Sequence, residues 1–109
     1  MNWKQAIKDY SHYLNIERGL SSNTIDGYIL DVNKLIIFLE NNNISCSPIT
    51  IKNDIIQQFI YEVAKKSTAR SQARIISGLK SFFNYLIFEK YRESNPTDLI
   101  EAPKIGRKL

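Results

Sequence analysis

Residues 68–88 read TARSQARIISGLKSFFNYLIF, and this stretch decides the fold. At about 100° per residue, Ile75, Ile76, Leu79, Phe82, Phe83, Leu86 and Ile87 gather on one side of a helix. Arg70, Arg74, Ser77, Ser81 and Asn84 gather on the other. Ser67 is placed to cap its start. Ser and Gly in a helix interior cost stability relative to Ala. Ser77, Gly78 and Ser81 therefore imply that something approaches this helix closely, either DNA or a neighbouring helix. No acidic residue occurs between Glu62 and Glu89, so the acid-free run from Lys65 to Phe88 carries a stripe of positive charge backed by an apolar face.

Working outward, the same spacing predicts three further helices. The first spans about Trp3 to Glu17, with Trp3, Ile7, Tyr10 and Leu14 inward, and Gly19 ends it. A second runs from about Asn23 to Glu40 with Ser22 as cap. Ile25, Tyr28, Ile29, Val32, Leu35, Ile36 and Leu39 form its apolar face; Thr24, Gly27, Asp31 and Lys34 lie opposite. The third covers about Asp54 to Lys65 behind an Asn53 cap. Ile49 and Ile51 read as loop residues packed inward, since a lone strand has nothing to pair with. Asn95-Pro96 opens a short fifth helix to about Glu101. The fold class is all-α: a compact bundle of four main helices plus a short fifth. Residues 1–102 read as one domain, and 103–109, basic and ending in Ile-Gly-Arg-Lys-Leu, read as a linker toward a second domain.

Composition agrees. The chain has 109 residues, 43% of them apolar, with 4 Gly and 3 Pro, which leaves few turns for a many-stranded sheet. Residues 1–63 hold five Lys/Arg against seven Asp/Glu, whereas residues 64–109 hold ten against four. A one-sided basic region is the electrostatic footprint of a nucleic-acid binder. The single Cys46 fits a reducing, cytoplasmic compartment. No signal peptide or membrane span is expected.

Catalytic chemistry is missing from the pattern. One His and one Cys cannot build a structural zinc site. There is no glycine-rich phosphate loop and no Ser-x-Gly elbow. His12, beside Tyr10 and Tyr13, reads as structural. Glu89 and Glu93 stand one helical turn apart but alternate with Lys90 and Arg92, so surface pairing accounts for them. Neither a catalytic residue, a metal nor a cofactor is expected of this chain.

Two segments carry a family resemblance: ERGLSSNTIDGYILDVNKLIIFLE at 17–40, and STARSQARIISGLKSFFNYLIFEKYRESNPTDLIEAPKIGRKL at 67–109. Arg74, Ser77, Leu79-Lys80, Phe83, Tyr85-Leu86, Glu89-Lys90, Asn95-Pro96 and the closing Pro-Lys occur in order in the second. Asn23-Thr24, Tyr28, Asp31 and Leu39 mark the first. Both resemble the amino-terminal, SAM-like core-binding domain of tyrosine recombinases of the phage integrase family, most nearly the Xer type. The resemblance implies a helical half of a C-shaped clamp on duplex DNA. A separate domain after the linker would carry the arginines, histidines and tyrosine nucleophile, so the six tyrosines here are not nucleophiles.

The resemblance also implies that helices two and four face the DNA. Thr24 and Tyr28 match the family's motif on helix two; Arg74, Ser77 and Lys80 match on helix four. Arg70 rests on the helical-face argument alone. Ile29 and Leu30 stand where the family often has basic residues. Adding the helix starts, whose free N–H groups suit phosphates, the candidate DNA contacts are Ser22, Asn23, Thr24, Tyr28, Lys66, Ser67, Thr68, Arg70, Ser71, Arg74, Ser77 and Lys80. Expected partners are double-stranded DNA and further recombinase subunits, the latter through helix one and the Asn95–Glu101 segment, with the isolated domain monomeric. Two other readings fit the residues: a free-standing helical DNA-binding regulator and a helical protein-interaction domain.

Overall fold

The computed structural model describes residues 1–98 and Ile100. Its elements are α1 (Trp3–Ile16), α2 (Ser22–Asn41), α3 (Asn53–Lys66) and α4 (Ala69–Phe88). No strand occurs among the described residues. The acid-free run is not one helix. Lys65 and Lys66 form the last turn of α3, the chain breaks at Ser67-Thr68, and α4 carries the rest. Two lysines at a helix C-terminus are favourably placed against the helix dipole, so they serve α3 before anything else.

Three helix starts differ from expectation by one residue. Ser21, not Ser22, caps α2, and its Oγ accepts the Thr24 N–H at 3.3 Å. Thr68, not Ser67, caps α4, and its Oγ1 accepts the Ser71 N–H at 3.2 Å. Lys52, not Asn53, precedes α3 in extended conformation and offers no side-chain cap. In each case the cap is the residue whose backbone is extended, because only there does a side-chain oxygen fall within reach of the N–H groups of the first turn. At the other ends α2 and α4 close alike: Asn43 (φ 55°) and Lys90 (φ 65°) take the left-handed conformation. The N–H of Ile44 then bonds Leu39 O, and that of Tyr91 bonds Leu86 O, both at 2.9 Å.

Helix α4 is the centre of the bundle, packed against α1, α2 and α3. Phe82, Phe83, Leu79 and Leu86 are fully buried, as the spacing predicted; Ile87 is half-buried and Phe88 exposed. Tyr10 of α1 stands edge-on to Phe82 with centroids 5.2 Å apart, and Phe82 stands edge-on to Phe83 at 5.1 Å. Burial of each such ring is worth about 1.5–3 kcal/mol. Ile51 is buried and Ile49 half-buried in the α2–α3 loop, as expected. Trp3 ties that loop to α1 through its indole N–H, which donates to Cys46 O at 2.9 Å.

The short fifth helix is a turn in the described residues. The Asp98 N–H donates to Asn95 O and that of Ile100 to Thr97 O, each at 3.1 Å. Asn95 does act as a cap, accepting the Thr97 N–H on Oδ1 at 2.9 Å. Its amide also donates to Asn84 Oδ1 at 2.9 Å and Lys80 O at 3.3 Å, and Thr97 and Ile100 are buried. These side-chain anchors hold the segment flat on α4. Glu101, and the linker read at 103–109, lie outside the described residues. With α4 ending at Phe88, Glu89 and Glu93 are not one helical turn apart.

Candidate nucleic-acid interface

Helices α2 and α4 approach so closely that two glycines are required where they meet. A Cβ on Gly78 would clash with Asp31 Oδ2 and stand 3.1 Å from the Asp31 Cβ and Cγ. A Cβ on Gly27 would stand 3.0 Å from Arg74 Nη2. Gly78 thus makes room for a neighbouring helix. Ser81 does the same toward α1, where its hydroxyl lies 2.8 Å from the Tyr10 hydroxyl; burial pushes that phenol up to about 12. Of the three small residues in α4, Ser77 alone is exposed.

Asp31, expected on the outward face of α2, is buried, its side chain only 3% exposed. Arg74 reaches across from α4 and donates from Nη1 to Asp31 Oδ1 at 3.1 Å, with 56% of its own side chain exposed. Burial raises the Asp31 pKa above the usual carboxylate range, and the Arg74 and Lys34 charges oppose this only in part. The carboxylate is buried because it has a partner. Arg74 is therefore pinned at one edge of its fork, with the remaining guanidinium N–H groups toward the surface.

Around this pair lies a shallow groove lined by Asn23, Thr24, Gly27, Tyr28, Arg74 and Ser77, with Asp31 and Gly78 at its floor. Five candidate contacts, Asn23, Thr24, Tyr28, Arg74 and Ser77, thus come together on one face. Lys80 lines an adjoining groove that shares Tyr28 and Ser77. Thr68, Arg70 and Ser71 are exposed at the start of α4. The others lie elsewhere. Ser22 lines a groove with Ser11 and His12 on the α1 side, and Lys66 and Ser67 border an apolar groove over Phe38 and Phe59. Among the described residues no cluster of metal-ligating side chains occurs, and no helix is long and apolar enough to cross a membrane.

With the geometry in hand, the chain can be set beside known proteins. The sequence model described as phage integrase, N-terminal SAM-like domain, matches residues 7–90. The chain belongs to the phage integrase N-terminal SAM-like family. Its similarity to curated members is substantial. It is 41% identical over 103 residues to a protein named tyrosine recombinase XerD from Staphylococcus saprophyticus. It is 39% identical over 104 residues to the protein of the same name from Staphylococcus epidermidis and 36% over 104 to that of Staphylococcus aureus. In each case 94% of this chain aligns, and it spans 35% of the relative's length. No solved structure matches. Membership of a recombinase family agrees with an all-helical SAM-like domain.

Two residues important to this face escaped the sequence reading. Asp31 looked outward because carboxylates are seldom buried, and its partner is 43 positions away. Arg18, just beyond α1, lines the groove next to Lys80. Its signal was its place in the first resembling segment, at the corner leading into α2.

Proposed function

We propose that this chain is the duplex-DNA-gripping amino-terminal domain of a site-specific tyrosine recombinase. Helices α2 and α4 lie against the DNA, and the domain positions the enzyme on its site. The observation that carries this reading is the convergence of Asn23, Thr24, Tyr28, Arg74 and Ser77 on one exposed groove between those two helices. The hydroxyls and amide donate to phosphate oxygens, which fix register. The exposed edge of the Arg74 guanidinium suits a phosphate or a guanine edge.

In the whole protein, a domain beyond the 103–109 linker supplies the tyrosine nucleophile and its activating residues. Further recombinase subunits complete the working assembly on DNA. The process served is DNA integration or chromosome dimer resolution, in the cytoplasm.

The test is a fluorescence anisotropy titration of a labelled duplex at several salt concentrations. On its own the domain is expected to bind with Kd roughly 10⁻⁴ to 10⁻⁶ M, weakening steeply with salt. Arg74 anchors a buried carboxylate, so its removal confounds binding with folding. The cleaner probe is Ser77→Glu, which sets a carboxylate in the middle of the groove and should weaken binding about tenfold or more. Unchanged binding by Ser77→Glu, or binding indifferent to salt, would remove this face from consideration.

A further inference from the structure

The α2–α4 groove carries no net charge of its own, because Asp31 already opposes Arg74. Affinity for DNA comes largely from cations set against phosphates. The charge must therefore be supplied beside this groove.

The adjoining groove, between the end of α1 and α4, has what is missing. It is lined by Tyr13, Arg18, Tyr28, Ser77, Lys80 and Asn84, among others, and no carboxylate is among its lining residues. Four other grooves on the described surface each hold one: Glu62, Asp31, Asp26 or Glu40. Arg18 and Lys80 are exposed, and neither is ion-paired among the described residues. Asn84 adds a neutral donor whose orientation is set. Asn95 Oδ1 is taken by the Thr97 N–H, so the Asn95 amide N–H donates to Asn84 Oδ1 at 2.9 Å. That leaves the Asn84 NH₂ free toward the groove. The lining thus offers cations, an amide donor and hydroxyls, and the shared Tyr28 and Ser77 run it directly into the α2–α4 groove.

We propose that this groove is a second contact for the phosphate backbone of duplex DNA, with Arg18 and Lys80 as its cations, so that the end of α1 joins α2 and α4 in the interface. This rests on the reading that the α2–α4 face binds duplex DNA. A single small anion would leave most of the donors unused. A strand crossing from one groove to the other engages them in succession.

The experiment compares Arg18→Gln with Lys4→Gln, each a loss of one positive charge. Lys4 sits at the opposite end of α1, roughly 20 Å from Arg18 at 1.5 Å per residue, in a groove with Glu40. Duplex affinity is measured by anisotropy between about 50 and 200 mM salt, with circular dichroism melts to confirm that both variants fold as the parent does. One lost phosphate contact lowers the slope of log K against log salt by about 0.9, so affinity should fall about 3.5-fold less across that range. Arg18→Gln is expected to show this reduction and Lys4→Gln to keep the parent slope. Equal slopes for the two variants, with the parent binding in a salt-dependent way and Ser77→Glu weakening it, would overturn the Arg18 site and leave the α2–α4 reading standing. A parent that does not bind duplex in a salt-dependent way would overturn both.

Discussion

Gly78→Ala tests the closeness of the α2–α4 crossing on which the whole interface depends. In an open helix this change stabilises by about 0.5–1 kcal/mol, because alanine loses less backbone freedom. Here the new methyl would clash with Asp31 Oδ2 and crowd its Cβ and Cγ at 3.1 Å. Asp31 cannot simply swing aside, being buried and holding Arg74 at 3.1 Å. Forcing the helices apart costs about 1–3 kcal/mol as overpacking. Losing a charge-assisted hydrogen bond from a buried carboxylate costs a further 1.5–3 kcal/mol or so. Set against the gain in helix propensity, the net effect is a loss of about 2–4 kcal/mol. For a domain of this size that lowers Tm by roughly 8–20 °C, readable in a circular dichroism melt or a urea titration. Two companions isolate the cause. Gly27→Ala meets only the flexible end of Arg74, at 3.0 Å, and should stay within about 0.5 kcal/mol of the parent. Combining Asp31→Ala with Gly78→Ala removes the atoms that the methyl meets, so the double variant should be more stable than the sum of its parts by at least about 1 kcal/mol. A Gly78→Ala protein as stable as the parent, or more so, would refute the crossing.

Two further outcomes follow from single groups. Burial raises the Asp31 pKa, so the folded state holds this proton more tightly than the unfolded chain does. The corresponding stability is present below ~pH 4, the unfolded value, and is lost as pH rises through the folded value. Asp31→Asn stays neutral, so its stability relative to the parent should improve from about pH 4 to pH 7 in urea titrations; a gap that narrows or stays flat would contradict the assignment. Lys90 closes α4 at φ 65°, a conformation that costs a non-glycine residue about 1 kcal/mol. Lys90→Gly should therefore raise stability by about 0.5–1 kcal/mol, and a lower Tm would count against the left-handed cap.

How much of this was readable beforehand depended on whether the deciding contact was local. The seven apolar positions of α4 share one face through a periodicity contained in twenty residues, and six of them are buried. Gly19 and the Asn41–Asn43 run stop helices by backbone chemistry alone. The cap errors arose because Ser21-Ser22 and Ser67-Thr68 each offer two adjacent hydroxyls, and only the backbone angles choose between them. The α4 small residues were rightly read as marking close approach. Yet the approaching partners are α2 at Gly78 and α1 at Ser81, with Ser77 left for a ligand. Asp31 failed for a different reason. It neighbours Val32 and precedes Leu35 by one helical turn, so it sits on the edge of the buried face. Only a cation arriving from another helix makes burial of its charge tolerable, and periodicity within α2 says nothing of that cation. Asn95 was rightly taken as a cap, but the burial of Thr97 and Ile100 against α4 holds a turn there.

The same distinction governs the charge that DNA would feel. Counted along the chain, the positive excess belongs to residues 64–109. The fold uses much of it up. Lys65 pairs with Glu62 at 3.3 Å on the far end of α3. Arg92 lies 5.4 Å from the centre of the Phe83 ring and donates to Pro48 O at 3.0 Å, its pKa lowered by burial. Arg74 is held by Asp31. What remains beside α2 and α4 is Arg70 and Lys80 from the basic half and Arg18 from the acidic half. Three cations on this side set the salt dependence. At about 0.9 per phosphate, the slope of log K against log salt should lie near −3. A slope steeper than about −5 would mean that cations buried or paired here are released on binding, and that the free domain is not the conformation that grips DNA.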